Sequence, residues 1–330
     1  MLMNIAFAGL RHDHIFVLAK EVRKNPATTL CGWWEEDADA RKAASALFAE
    51  PVYESYEALL ADEQVQAVAI GDYYGVRGKR VIQALKAGKH VICDKPICTS
   101  LEELDEIDKL LNETGLKLGC MLDLRYVPAL RHLALMVRKG MLGQIKTAAF
   151  TGQHPLNWGV RPGWYFEEGK HGGTFNDIAI HGVDAIGWLT GSPWTKTLYA
   201  RQWNAFAEHA PDFKDCAQCV GELANGANVM ADVSYAAPSP KGFVTPAYWR
   251  FTLWGTGGFA ECRYGDDTVT LMQTGDLQPV SVKASYPVTA TCLTDFLKEI
   301  EGFPTDFDPR SVLRSSRATL QLQRYADQKG

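Results

Sequence analysis

The sequence predicts an α/β protein of two parts: a doubly wound parallel sheet in residues 1–122 and an α+β domain with a large open, mainly antiparallel sheet in residues 123–330. Three observations predict this class. Short apolar runs alternate with helical stretches in the first part, and alternating or aromatic-rich runs follow one another in the second. A chain of 330 residues also exceeds the usual size of one domain.

Five short apolar runs in the first part suit buried parallel strands, because strands covered on both faces read as continuous hydrophobic segments. They are residues 4–8, 28–33, 67–70, 90–93 and 117–121. Stretches with helical apolar spacing lie between them at 15–23, 39–48, 76–87 and 101–112. Gly88 and Gly115 stand where helix C-caps are expected, and Ser100 with Glu103 fits a capping box. This alternation predicts parallel strands joined by helices.

The pattern changes after about residue 122. A helix is predicted over residues 128–138, and a further helix over 311–325. Alternating or aromatic-rich runs at 146–151, 219–223, 228–235 and 250–254 read as antiparallel strands. We therefore expect a mixed open sheet with helices against it.

Composition narrows the class of ligand. The formal net charge is −5 with both signs interspersed and no basic run, which argues against nucleic acid or an anionic membrane surface as partner. No stretch approaches the roughly 20 apolar residues that span a bilayer, so we expect a soluble, cytoplasmic protein with a small-molecule substrate. The eight cysteines are expected to be free thiols. Cys216 and Cys219 have Cys-x-x-Cys spacing but lack the further ligands of a zinc site.

The motif Asp94-Lys95-Pro96 closes the apolar run 90–93 and so places a lysine at the carboxyl end of a strand. That edge is where α/β sheets bind ligands. Pro96 fixes the backbone after Lys95, which favours a held side chain over a mobile surface lysine. A lysine amine at such a position can hold an alkoxide-like oxygen or accept the proton of a hydroxyl group.

A second motif follows the diglycine Gly172-Gly173, where Asp177 and His181 are four residues apart. In an α-helix this spacing puts a carboxylate and an imidazole on one face. An imidazole with a near-neutral reference pKa can accept and return a proton in each turnover. A histidine paired locally with its own aspartate would give the same spacing without any catalytic role.

Together with the dinucleotide-type first half, these motifs resemble the Gfo/Idh/MocA family of nicotinamide-dependent sugar and polyol oxidoreductases, whose Glu-Lys-Pro motif reads Asp94-Lys95-Pro96 here. The resemblance implies a Rossmann-type first domain, NAD as cofactor, and hydride transfer involving a ring hydroxyl or ketone of a sugar, sugar acid, glycoside or inositol. It implies a homo-oligomer, dimer or tetramer, and a C-terminal helix that packs back on the first domain. Two alternatives stay open: a redox-neutral NAD-using cycle with elimination, glycoside cleavage or epimerisation, and a non-catalytic dinucleotide- or sugar-sensing regulator.

The resemblance also implies roles for the motif residues. His181 would be the general acid and base, and Asp177 would bind a substrate hydroxyl or orient the imidazole; the opposite assignment, with Lys95 as the base, stays open. Asp184 is expected to cap or pair within the helix that follows His181. The substrate is expected to meet these catalytic residues together with Arg125, Tyr126, His154, Asn157 and Trp164. The last three of these lie in the segment 154–165, which is rich in aromatic residues and contains Pro and Gly, so we expect it to be a loop. Such a loop would suit a subunit interface equally well.

The expected phosphate-binding turn departs from the usual Gly-x-Gly-x-x-Gly pattern. Gly9 fills the first position, but Arg11 and His14 occupy the second and third. We expect Gly9, Arg11 and His12 to face the cofactor, with Asp94 and Lys95 nearby. Two histidines without a third ligand do not make a metal site, so no metal is expected.

The second and third strands end in further cofactor candidates. Glu35 is the acidic residue expected to accept hydrogen bonds from the adenine ribose. A phosphate on that ribose would face Glu35, Glu36 and Asp37 with no obvious arginine partner, which favours NAD over NADP. Asp72 and Tyr73 are candidates for the ribose and an edge of the cofactor, although Asp72 fits equally well as the cap of the helix that follows.

Overall fold

The structure is a computed structural model that describes residues 2–238, 244–285, 288–306 and 310–329. The chain divides into two compact units. The first comprises Met1–Met121, Glu167–Gly172 and Thr291–Pro309, and the second comprises Leu122–Phe166, Gly173–Ala290 and Arg310–Gly330. Among the described residues, no helix combines the length and the apolar character that crossing a membrane requires.

The first unit is built on a five-stranded parallel sheet in the order β2-β1-β3-β4-β5. Its strands are β1 (Met3–Ala8), β2 (Thr28–Trp34), β3 (Ala67–Ile70), β4 (His90–Cys93) and β5 (Leu118–Cys120). The helices between them are α1 (His14–Lys24), α2 (Ala38–Ser45), α3 (Tyr56–Ala61), α4 (Tyr74–Lys86) and α5 (Leu101–Thr114). All four residues of β3 are buried, as expected for a strand covered on both faces.

The second unit contains an eight-stranded sheet in the order β13-β12-β11-β10-β6-β9-β8-β7, in which β6 and β9 are parallel and the other pairs are antiparallel. Its elements begin with α6 (Pro128–Arg138), β6 (Ile145–Gln153), α7 (Ile180–Thr190), β7 (Trp194–Trp203), β8 (Cys216–Leu223) and β9 (Asn228–Ser234). They continue with β10 (Arg250–Gly255), β11 (Gly258–Arg263), β12 (Thr268–Gln273) and β13 (Val280–Lys283).

Two helices close the chain, and they belong to different units. Helix α8 (Cys292–Ile300) lies in the first unit, where Phe296 packs against Gly119 of β5. Helix α9 (Ser311–Asp327) packs on β7 and α7 in the second unit. From the sequence, we expected the last helix to pack back on the first domain. In the structure, the segment that contains α8 belongs to the first unit, and α9 belongs to the second.

The predicted fold class is confirmed, with a doubly wound parallel sheet followed by an α+β part on a large, mostly antiparallel sheet. Ser100 caps α5 by accepting a hydrogen bond from the Glu103 N–H (3.1 Å), and Gly115 ends the helix with φ +70°. The eight cysteines are free thiols, and Cys216 and Cys219 lie buried in β8.

Candidate functional site

The turn after β1 is closed against the end of β3. Gly9 has φ +70°, and a Cβ there would lie 2.5 Å from the Cβ of Asp72, so a side chain cannot be accommodated. The Gly9 N–H donates to the carbonyl of Trp34, and the His12 N–H donates to that of Gly71 (3.2 Å). The turn is therefore tied to both strands that flank β1.

Glu35 is fully buried and holds this turn from the side of β2. Its carboxylate accepts hydrogen bonds from the Leu10 N–H (2.6 Å), the Asp37 N–H (2.8 Å) and Nε of Arg11 (3.0 Å). Because this buried carboxylate accepts three hydrogen bonds from nearby residues, it fixes the conformation of the loop. Contact of Glu35 with the adenine ribose stays a prediction.

Glu36, the next residue, differs in its surroundings. Its side chain is 46% exposed, and it forms ion pairs with Arg11 (2.9 Å) and Arg80 (3.0 Å). The expectation that no arginine lies near this acidic stretch is therefore wrong. Arg80 was overlooked because it comes from α4, more than forty residues later in the sequence.

Asp72 and Tyr73 lie at the end of β3. Asp72 is fully buried and accepts a hydrogen bond from the Tyr73 N–H (2.8 Å). Burial raises the pKa of Asp72 to about 6, against the opposing effect of Arg11, whose Nε lies 3.4 Å away. Helix α4 has no side-chain cap, so Asp72 does not serve the capping role that the sequence allowed. The guanidinium carbon of Arg11 lies over the Tyr73 ring, 5.1 Å from the ring centroid.

A buried polar cluster surrounds Asp94 at the end of β4. His12 contacts one carboxylate oxygen through Nδ1, His14 contacts the other (3.1 Å), and Nη2 of Arg77 donates to the first (2.9 Å). The hydroxyl of Tyr74 lies 3.1 Å from Nε2 of His12. The structure therefore brings the predicted cofactor-side residues His12 and Asp94 into direct contact.

The charge states in this cluster follow from burial and from Arg77. Burial lowers the pKa of His12 to about 3, against the attraction of Asp94, so the ring is neutral at physiological pH. Burial alone would raise the pKa of Asp94, but the charge of Arg77 and the hydrogen bond from His12 hold it well below its usual range. A neutral His12 then donates from Nδ1–H to Asp94 and accepts from the Tyr74 hydroxyl at Nε2.

The same cluster bears on the expectation of no metal. One donor atom from each of His12, His14 and Asp94 lies within 4.8 Å of the others, so Asp94 supplies the third ligand that the sequence alone did not place beside the histidines. However, the Asp94 carboxylate already has the fully buried guanidinium group of Arg77 as its counter-ion. A divalent cation would have to be bound beside that buried positive charge, which disfavours it.

Lys95 is 5% exposed and held by its surroundings in the first unit. Its backbone carbonyl accepts a hydrogen bond from Nη1 of Arg77, and its ammonium group lies 5.4 Å from the centroid of the Tyr74 ring. Lys95 is thus a buried side chain with a fixed backbone at a carboxyl strand end. This is the environment that the sequence motif predicts for it.

In the second unit, Asp177 lies in a π-helical turn, Phe175–Ala179, directly before α7. Its carboxylate accepts a hydrogen bond from the hydroxyl of Tyr235, and both residues are buried. His181 is the second residue of α7 and meets the Trp249 ring edge to face, with centroids 5.4 Å apart. The prediction that Asp177 and His181 share one helix face assumed a continuous α-helix. Asp177 lies in a π-turn instead, so the four-residue spacing no longer implies a shared face.

The proposed substrate residues of the second unit fall into two groups. His154 contacts the rings of Tyr248 (5.1 Å) and Trp249 (5.4 Å), so it shares Trp249 with His181. In contrast, Arg125 is buried in an ion pair with Asp184 and also donates to Ser311. Asp184 therefore pairs outside its own helix, which corrects the expectation of pairing within it.

The other predicted residues of this unit have local partners. The Tyr126 ring lies 5.8 Å from the guanidinium carbon of Arg131, and Trp164 is buried against Tyr165 with ring centroids 4.2 Å apart. Asn157 has φ +51°, and its carbonyl accepts hydrogen bonds from the N–H groups of Val160 and Arg161 (3.0 Å each). The chain around Asn157 is irregular, and Trp164 lies in a short 3-10 helix, Gly163–Phe166.

Comparison with known proteins agrees with both units. The family description "Oxidoreductase family, NAD-binding Rossmann fold" matches residues 3–121, and "GFO/IDH/MocA C-terminal domain" matches residues 130–261. The chain belongs to the Gfo/Idh/MocA family. A crystal structure of a protein from Erwinia carotovora atroseptica has the same fold, with a TM-score of 0.87, 24% identity and 98% coverage of both chains.

Two curated relatives show the similarity in sequence. Rhizopine catabolism protein MocA of Rhizobium meliloti is 26% identical over 212 residues, which are 64% of this chain and 63% of that protein. The 1,5-anhydro-D-fructose reductase of Ensifer adhaerens is 30% identical over 138 residues, 40% of each protein. The chain spans about half the length of the curated relatives it matches.

Sequence reasoning missed several residues that hold the family motifs in place. Arg77 binds Asp94 and the carbonyl of Lys95, Tyr74 contacts His12, and Tyr235 binds Asp177. Arg77 and Tyr74 carried a usable signal, because they lie in the first turns of the helix that follows β3 and so near the same sheet edge. Tyr235 carried none, since it follows a strand 58 residues away from Asp177.

Proposed function

We propose that this protein is a nicotinamide-dependent oxidoreductase that transfers a hydride between the cofactor and a ring hydroxyl or ketone of a sugar, sugar acid, glycoside or inositol. The observation that carries the proposal is the setting of Lys95. It is a buried lysine whose backbone is fixed by Arg77, at the carboxyl edge of the sheet that also carries the Gly9 turn. That edge is where doubly wound sheets bind dinucleotides and their substrates.

The substrate class is supported by the names of relatives and by the second unit. The Ensifer relative is named as a reductase of 1,5-anhydro-D-fructose, a compound with a ring ketone. In the second unit, His181 and His154 flank Trp249 while Asp177 is held by Tyr235. Aromatic faces beside a few fixed polar groups suit a ring that bears hydroxyl groups.

The proposed roles divide the chemistry between the cofactor and the protein. A bound nicotinamide would supply the hydride acceptor, and the Gly9 turn and the end of β3 would hold the dinucleotide. Lys95 or His181 would take the proton of the substrate hydroxyl, and Asp177 would bind a neighbouring hydroxyl. NAD as the preferred cofactor and a homo-oligomeric state are part of the proposal; light scattering at several protein concentrations tests the latter.

The experiment follows nicotinamide absorbance while the protein is mixed with NAD and a panel of inositols, free sugars, sugar acids and glycosides. The variants Lys95→Ala and His181→Ala accompany it, with Lys86→Ala as the matched control because Lys86 is exposed on α4 with 57% of its side chain accessible. We expect reduction with one substrate class, lost in both variants and kept in the control. Turnover of a sugar without net reduction would favour the redox-neutral cycle instead.

A further inference from the structure

Arg161 lies over two tyrosine rings of the second unit. Its guanidinium carbon is 4.6 Å from the ring centroid of Tyr165 and 4.9 Å from that of Tyr235. Both rings are buried. A cation is attracted to the face of an aromatic ring, and the attraction grows where water is excluded. The positive charge of Arg161 is therefore placed on the ring whose hydroxyl holds Asp177.

The loop that contains Arg161 fixes its side chain. Nε donates to the carbonyl of Leu156 (2.9 Å), and Nη2 donates to that of Pro155 (3.0 Å). The backbone N–H of Arg161 donates to the carbonyl of Asn157 (3.0 Å). Because the side chain and the backbone of one residue are both bound to the same short loop, these hydrogen bonds restrict the guanidinium group to its position over the Tyr235 ring.

Tyr235 connects this cation to Asp177. The tyrosine hydroxyl donates to the Asp177 carboxylate, and both residues are buried. Burial and the charge of Asp177 raise the pKa of Tyr235 well above its usual value, and the charge of Arg161 opposes that rise. The phenol therefore stays protonated, as a donor must, and the nearby cation makes its O–H a stronger donor to the carboxylate.

We propose that Arg161 is a positioning residue for the reaction: its charge, acting through the Tyr235 hydroxyl, holds the Asp177 carboxylate ionised and oriented for a substrate hydroxyl. This inference rests on the proposed function, in which Asp177 binds that hydroxyl. A carboxylate that is already oriented needs no reorganisation at the moment of reaction, so the contribution of Arg161 should be measurable in kcat.

The test measures kcat on the substrate identified by the panel, expressed per folded protein. Arg161→Gln removes the charge but keeps an amide donor for the loop, and kcat should fall about 5- to 10-fold. Arg161→Lys keeps a cation without the planar group, and its kcat should stay within about 3-fold of the wild type, because the effect belongs to the charge. Arg201→Gln is the matched control: it removes an exposed guanidinium group that lies over the ring of Trp203 (5.5 Å), and it should leave kcat unchanged.

A double-mutant cycle tests whether Arg161 acts through Tyr235. In a Tyr235→Phe background, Arg161→Gln should change kcat by less than about 2-fold, because effects that depend on one contact do not add. Thermal unfolding shows that each variant is folded. The full loss in that background, a lysine variant as slow as the glutamine variant, or wild-type kcat in a folded Arg161→Gln would overturn the inference and leave the proposed function standing. A wild-type protein that transfers no hydride with any member of the panel would overturn both.

Discussion

Tyr235→Phe removes a single oxygen atom from the contact that holds Asp177. The Tyr235 hydroxyl donates to the Asp177 carboxylate, and the two residues are 2% and 3% exposed. Water therefore has little access to replace the lost donor. Hydrogen bonds to charged groups contribute about 1.5–3 kcal/mol, so we expect the free energy of unfolding to fall by about 2 kcal/mol.

The same change should lower activity. If Asp177 binds a substrate hydroxyl, a carboxylate that has lost its fixed donor is less well oriented, and we expect kcat to fall by about 10-fold or more, equivalent to about 1.4 kcal/mol of transition-state stabilisation. Urea unfolding and steady-state kinetics on the substrate identified by the panel measure both effects. Since a smaller folded fraction would also lower the apparent kcat without changing KM, kcat is expressed per folded protein, with the folded fraction taken from the unfolding curve.

Tyr199→Phe is the matched control for this prediction, since it removes the same atom from a residue that is 46% exposed on β7. It should leave stability within about 0.5 kcal/mol of the wild type. A Tyr235→Phe protein with wild-type stability and wild-type kcat would refute the reasoning, because it would show that the buried hydroxyl neither stabilises nor orients the carboxylate.

Three further predictions concern the first unit. Because burial raises the pKa of Asp72 to about 6, the folded protein binds the proton of this carboxyl group more tightly than the unfolded chain does, and stability is lost as pH rises from about 4 to about 6. The variant Asp72→Asn has no such proton to lose and should avoid up to about 3 kcal/mol of that loss. Urea unfolding at several pH values measures it, and parallel stability profiles of the variant and the wild type would contradict the prediction. Gly9→Ala should cost about 1–2 kcal/mol for its positive φ plus a clash with Asp72 at 2.5 Å, and should weaken dinucleotide binding; a calorimetric titration equal to wild type would contradict it. Dialysis against a chelator should leave the unfolding temperature unchanged, because the carboxylate of the His12–His14–Asp94 cluster already has a buried guanidinium counter-ion; a lower unfolding temperature restored by zinc would contradict that.

The parts of the fold that sequence could predict are those set by local pattern. Continuous apolar runs and helical spacing gave the parallel sheet, and the position of Lys95 followed from the end of one such run. Ser100 and Gly115 were placed by the hydrogen-bonding and backbone needs of helix ends, which act within a few residues. Such signals are short-range, so a single sequence carries them.

The parts that could not be predicted depend on contacts between distant segments. Glu35 and Glu36 are adjacent and chemically identical, and only the packing of the Gly9 turn buries the first while leaving the second near Arg80. Likewise Arg125 meets Asp184 from 59 residues away. The structure has a π-turn around Asp177, and nothing in the four-residue spacing of the motif distinguishes this turn from an α-helix.

The most direct test of the central claim follows a hydrogen isotope. The substrate identified by the panel is deuterated at its reacting carbon, mixed with NAD and the wild-type protein, and the nicotinamide is examined by mass spectrometry, with Lys95→Ala alongside. Hydride transfer predicts a single deuterium in the reduced cofactor for each molecule of ketone formed, and none with the variant. Deuterium that stays in the sugar or passes to water, with no reduced cofactor released, would contradict the account.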